Sequence, residues 1–321
     1  MAKVPDCSFV LSAEKGQLEA QAILMVESLR QFGGAYANCP VYVVSPRPSR
    51  KIGPACRNAL RQMHVQVIDQ ALIPDAEPYG SAGRLAVCAW AERNLTCEIL
   101  VSLDDDLFFT DEPDFSLADA DFFARPVDVK GMCTTGPGDP FDAYWRRIAQ
   151  INDVGYDDIP WVETTVDRIS VKASYNGGMV AVRRSLGILK RAEEMLCTIR
   201  EHDLSPYQRG AMNVFASTGF VGEEGSRWWG TSQAALSLAA AQLKAKIRIA
   251  SPRYNVPAHL AETAKQLHGS IILKDAILVH YHWLLDKEHV REDMIFEGGS
   301  ALPASILKWL RDRTPLGEIE K

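Results

Sequence analysis

The chain has no G-x-G-x-x-G after its first apolar run and no G-x-x-x-x-G-K-[ST] anywhere along its 321 residues. Those glycine-rich loops are how backbone amides cradle the phosphates of dinucleotides and nucleoside triphosphates, so both fingerprints are missing. Basic charge is not in excess either: 35 Lys and Arg stand against 41 Asp and Glu, for a net charge of −6. A nucleic-acid partner or a polybasic membrane anchor would need a basic face, and both are set aside. No apolar run approaches the roughly 18 residues of a spanning helix, and Met1 to Asp6 has no apolar stretch after its charge. The expectation is a chain neither exported by a standard signal nor integral to a membrane. Cysteine is sparse and scattered: Cys7, Cys39, Cys56, Cys88, Cys97, Cys133 and Cys197 are odd in number and form no C-x-x-C pair. They read as reduced core thiols, not staples or zinc ligands, which points to the cytoplasm. There the sequon Asn94-Leu95-Thr96 would never meet its enzyme.

What is present is an ordinary globular composition, 47% hydrophobic and 24% charged, enough for a large core in one elaborated domain or two. The first 110 residues alternate two periodicities. Ser8 to Ser12, Pro40 to Ser45, Val65 to Asp69 and Glu98 to Leu103 are short apolar runs that read as strands. Between them, Gln17 to Gln31, Cys56 to Met63 and Ala82 to Arg93 carry helical spacing. Strands alternating with helices imply crossover connections, hence an α/β fold with a mostly parallel sheet.

The fourth strand runs into three carboxylates, Leu103-Asp104-Asp105-Asp106-Leu107-Phe108. Ligands of open α/β sheets collect outside the carboxyl ends of the strands, which is where these anions fall. In extended backbone Asp104 and Asp106 share one face and Asp105 takes the other. Two oxygen ligands on one face suit Mg2+ or Mn2+, which complete their shells with water and substrate phosphate. The competing reading is a polar turn, since Asp favours turns and helix caps.

This stretch resembles the Asp-X-Asp motif of nucleotide-sugar glycosyltransferases of the GT-A fold, in which the first and last Asp serve the ribose, diphosphate and divalent metal. The resemblance implies a Rossmann-like fold with a central, mostly parallel sheet flanked by helices. Three further stretches extend it. Tyr175-Asn176-Gly177-Gly178 opens a β-branched run where glycines permit close approach and Asn offers both donor and acceptor. It is similar to the strand that contacts the donor sugar, with a bulge or hairpin entry as the structural alternative. Gln233 opens the helix Ala234 to Leu243 where the family often has Asp-Gln; Ser232 stands in place of the Asp. Glu223 and Glu224, in the acidic loop before it, are then the candidate catalytic carboxylates, or else a solvated charged loop. The apolar run Ala276 to Trp283 ends in His280 and His282, two residues apart and so on one strand face. The resemblance puts a metal-binding His there, with His280 fitting best and His282 in reserve. It also implies a base- or phosphate-contacting cation near Arg84, just inside a helix start that favours anions.

Residues 128 to 160, rich in Gly, Pro and Asp, read as loops and short helices inserted over the site, where acceptor recognition would reside. Trp145, Trp161, Trp228 and Trp229 read either as core or as sugar platforms. The resemblance spans about residues 5–285, taken as one catalytic domain with a nucleotide-binding half, 1–110, and a donor-sugar and acceptor half, 111–285. Residues 286–321 form an expected helical tail with Ile306, Leu307 and Leu310 on one face. The implied activity is metal-dependent transfer of a sugar from a UDP- or GDP-sugar to a hydroxyl, on a saccharide or glycoconjugate. A sugar-nucleotide nucleotidyltransferase and a non-catalytic carbohydrate-binding protein are the alternatives. The first would want a Gly- and Lys/Arg-rich loop after the first strand, where Ser12 to Gly16 offers one Lys and one Gly; the second would not need the Asp triplet.

Overall fold

The structure is a computed structural model that describes residues 6–267, 269–285 and 302–313. It opens with β1 (Cys7–Ser12), α1 (Gln17–Phe32), β2 (Val41–Ser45), α2 (Pro54–Gln62), β3 (Val65–Asp69), α3 (Gly80–Asn94) and β4 (Ile99–Leu103). The entry to α1 shows why these elements start where they do. Gly16 takes φ +113, a conformation side chains resist, and Glu19 reaches back to accept its N–H at 2.9 Å. Pro54 opens α2, where a missing N–H breaks no helix bond.

After β4 come β5 (Leu107–Phe109), β6 (Phe122–Pro126), α4 (Asp142–Ile151), the hairpin of β7 (Trp161–Glu163) and β8 (Ser170–Lys172), β9 (Tyr175–Arg183) and α5 (Ile188–Glu201). A second hairpin, β10 (Phe215–Ala216) and β11 (Gly219–Phe220), precedes α6 (Glu223–Ser226) and α7 (Thr231–Gln242). The chain continues through β12 (Ile247–Ile249), β13 (Val256–Pro257), α8 (Ala261–Gln266), β14 (Leu278–His280) and α9 (Ala304–Arg311).

The main sheet has seven strands in the order β12-β6-β9-β4-β1-β2-β3. All neighbours are parallel except β9, which runs antiparallel to both β4 and β6. Both faces are covered, as apolar runs in a largely parallel sheet require. Val10, Val44, Leu100, Val180 and Val182 point toward α3, α5 and α7; Phe9, Leu11, Val43, Val101 and Met179 point toward α1 and α2. This is the mostly parallel α/β sheet that the alternation predicts and the Rossmann-like architecture that the resemblance implies, and strands from both halves of the chain build it.

A small second sheet, β13-β14-β5, sits beside the end of β4. Its antiparallel register sets Val279 opposite Phe108 and His280 opposite Leu107. The expected strand 276–283 is shorter because the Tyr281 N–H turns to the Asp106 carbonyl at 3.1 Å and His282 enters a left-handed conformation, φ +52.

The tryptophans divide. Trp145 on α4 is fully buried, its Nε1 donating to the Met132 carbonyl at 2.8 Å, and Trp228 is also core. Trp161 is 51% exposed, and Trp229 is half-buried at the site described below. Of the expected tail, residues 286–301 and 314–321 lie outside the described residues; α9 docks through Ile306, Trp309 and Leu310 beside Phe108, Val279 and Tyr281, with Leu307 at the edge. All seven cysteines are free and six are buried. Among the described residues no helix is long and apolar enough to cross a membrane.

Candidate active site

A cleft of about 980 Å³ opens beyond the carboxyl ends of β1 and β4. Its walls come from the start of α3, the segment after β6, the β10-β11 hairpin, the entry to α7 and the turn after β14.

Asp104, Asp105 and Asp106 line its floor as the turn joining β4 to β5. The polar turn and the site are therefore the same feature. Asp104 donates its backbone N–H to the Gly178 carbonyl at 2.8 Å and its carboxylate lies 3.3 Å from Arg84 Nε. Burial raises the Asp104 pKa above the usual carboxylate range, against the pull of Arg84. Asp105 is buried with neither carboxylate oxygen hydrogen-bonded; burial, then the flanking anions, push it well above that range. Asp106 behaves oppositely. Burial would raise it, but His280, with Nε2 at 3.3 Å, holds it well below.

The glycines of β9 make room for site side chains. A Cβ on Gly177 would lie 2.8 Å from the Arg84 guanidinium carbon, and one on Gly178 would lie 3.2 Å from carboxylate and amide oxygens of Asp104 and Asn176. Arg84 also donates to the Gly177 carbonyl. Asn176 is locked at both ends: Oδ1 accepts the Gly178 N–H at 2.9 Å and Nδ2 donates to Asp128 at 2.8 Å. Asp128, buried in the cleft wall and held by the Thr165 hydroxyl at 2.8 Å, is a residue that sequence reasoning missed. Its only sequence signal was an acidic residue at the start of the 128–160 insertion.

Asp106, His280 and His282 bring one donor atom each within 4.8 Å of one another. Asp104 is not in this group, because it faces Arg84. Burial works against charge on His280, yet Asp106 raises its pKa; burial and His280 lower His282 to about 4. A third ring, His259, packs beside this group without belonging to it and was not anticipated; its centroid is 3.9 Å from that of His282. The donor set fits a divalent cation. The Nδ1 of His282 is buried without a hydrogen-bond partner, and the 3.3 Å between Asp106 Oδ2 and His280 Nε2 is near the separation, about 3 Å, of adjacent ligands at bond lengths near 2.1 Å.

The structure does not bring Glu223 and Glu224 into this group. They sit on α6, outside the described lining of the cleft, facing Arg209 at 3.5 and 3.9 Å, and Glu224 also meets Arg227. A charged loop satisfies itself with nearby arginines when solvent can reach it, as here. Gln233 does line the cleft, and Ser232 is tied down instead of free: the Tyr79 hydroxyl donates to its Oγ at 3.0 Å. At the mouth, Phe215 packs edge-on against both Phe220 and Trp283, and Phe220 is 71% exposed.

Residues 9–210, more than half of the chain, match the Rhodobacterales glycosyltransferase domain, and the chain belongs to that family of glycosyltransferases. The matched segment contains Arg84, the Asp turn, Asp128 and the β9 glycines, and ends before the histidines. Comparison with curated proteins finds no match.

Proposed function

We propose that this glycosyltransferase is a metal-dependent enzyme of the GT-A, Asp-X-Asp type, moving a sugar from a UDP- or GDP-sugar to a hydroxyl of a saccharide or glycoconjugate, with residues 1–285 as one catalytic domain. The observation that carries the reading is the convergence of Asp106, His280 and His282, from elements far apart in sequence, on one end of a cleft that also holds Asp104 and Arg84. Asp106 and the histidines would hold Mn2+ or Mg2+, which when bound neutralises charge developing on the departing diphosphate.

The chain's own groups do the rest. Arg84 fixes the Asp104 carboxylate and adds positive charge to the phosphate end of the cleft. Asp104 would accept hydrogen bonds from the donor ribose. Asn176, rigid between Gly178 and Asp128, orients Asp128 toward the donor sugar. There Asp128 accepts from sugar hydroxyls and stabilises positive charge at the anomeric carbon, in place of Glu223 and Glu224, which lie outside the lining of the cleft and face arginines. Gln233 borders the sugar from α7, and the aromatic mouth receives the acceptor.

The test is isothermal titration of UDP and of GDP, with and without Mn2+, against the protein and an Asp106→Ala variant. Metal-dependent binding of one diphosphate, lost in the variant, is the expected result. Failure of both diphosphates to bind with any divalent cation overturns the proposal.

A further inference from the structure

A site that holds a cation chiefly through donor phosphate needs little imidazole, yet three rings crowd this one. His259 arrives through the small sheet. β13 pairs in parallel with β14, setting Pro257 opposite His280, and the chain then turns through Ala258–Leu260 over the end of that pair. The ring centroids are 3.9 Å apart for His259 and His282, 4.5 Å for His280 and His282, and 5.4 Å for His259 and His280. His259 Nδ1 faces the His280 carbonyl oxygen at 3.5 Å. A proton directed at that carbonyl leaves the Nε2 lone pair free, which is the tautomer that metal-ligating histidines adopt. The Trp283 ring packs against both His259 and His282, at 5.7 and 5.4 Å. All three histidines line the cleft.

We propose that His259 joins His280, His282 and Asp106 in a nitrogen-rich cation site, selective for a transition cation such as Mn2+ over Mg2+, that is filled before any nucleotide donor arrives. The inference rests on the reading of Asp106 as a cation ligand. Its physical basis is ligand chemistry. Mg2+ dehydrates reluctantly and prefers oxygen, taking one or two carboxylates together with substrate phosphate. Imidazole donors favour later transition cations, and each added imidazole strengthens binding that owes nothing to phosphate. A purely aromatic stack of three histidines would leave the buried Nδ1 of His282 without a partner.

The test uses the full chain and the metals alone. MnCl2 and MgCl2 are titrated calorimetrically into wild type and His259→Gln without nucleotide, and nitrogen couplings of bound Mn2+ are read by pulsed electron paramagnetic resonance. Wild type should bind Mn2+ on the order of a hundredfold more tightly than Mg2+, with couplings from more than one imidazole. His259→Gln should weaken Mn2+ about tenfold or more and lose one of those couplings. Equal binding of the two metals, no binding without nucleotide, or an unchanged variant overturns the inference. The resonance measurement on wild type decides the case even if the variant folds poorly. UDP or GDP binding that Mg2+ supports as well as Mn2+, and that Asp106→Ala abolishes, would leave the proposed function standing while the selectivity fails. Mn2+ held by the protein with no diphosphate bound under any condition would do the reverse.

Discussion

Replacing Gly177 by Ala perturbs the site through one contact. The new Cβ would sit 2.8 Å from the Arg84 guanidinium carbon, closer than a methyl group can stand, while the Gly177 backbone is outside the left-handed region and accepts Ala. The neighbour that must yield is the flexible end of an arginine, so the fold survives and Arg84 swings away. It then loses its bond to the Gly177 carbonyl and its approach to Asp104 at 3.3 Å. A hydrogen bond to a charged group contributes about 1.5–3 kcal/mol, so donor diphosphate should bind about 10- to 150-fold more weakly. Titration calorimetry with Mn2+ reads this loss, and a melting curve within a few degrees of wild type separates it from misfolding. Arg84→Ala should lose a similar amount, and the double variant little more, because both changes remove the same interaction. Full additivity, or wild-type affinity in Gly177→Ala, would refute the reasoning.

Three further outcomes follow from the same geometry. Glu92 on α3 is buried; one oxygen accepts the Lys190 N–H at 2.7 Å and the other has no partner, and burial pushes its pKa from 4.5 to about 7. Below pH 4.5 both native and unfolded states keep that proton; between 4.5 and 7 the unfolded chain releases it first, so stability falls as pH rises through this window. Glu92→Gln should therefore be more stable than wild type by about 1–3 kcal/mol near pH 8, with the gain vanishing near pH 4, as read by urea unfolding at both. Glu223→Gln and Glu224→Gln should change turnover less than about threefold, since both lie outside the lining of the cleft and pair with Arg209 and Arg227. Asp128→Asn should reduce kcat about a hundredfold with donor binding largely kept, and a reversed ranking in steady-state kinetics would return the catalytic role to α6.

The parts legible in the sequence are those whose signal is local. Strands β1 to β4 announce themselves by apolar runs between helical segments, and the Asp turn and Asn176-Gly177-Gly178 by residues whose chemistry has few other uses. His280 was legible as an imidazole ending an apolar strand. The partnership of His259 was not, because it depends on the pairing of β13 with β14, which no short-range pattern encodes. Asp128 was hidden for a similar reason: its role comes from Asn176 and Thr165, brought from two later segments. The arginine partners of Glu223 and Glu224 were not legible either, because an acidic loop looks the same in sequence whether it faces a cleft or, as here, Arg209 and Arg227. The Asp triplet was read as extended and is a turn, which is how a sheet ends when consecutive charges must leave it.

The central claim is metal-assisted glycosyl transfer from a nucleotide sugar, and the most direct measurement is release of nucleoside diphosphate. UDP- and GDP-sugars are incubated with wild type, Asp106→Ala and Asp104→Asn, with Mn2+ or with chelator. The account predicts UDP or GDP from one donor class, with wild type and Mn2+ only. Pyrophosphate exchange with nucleoside triphosphate and sugar phosphate, or release that neither variant nor chelator diminishes, would contradict it.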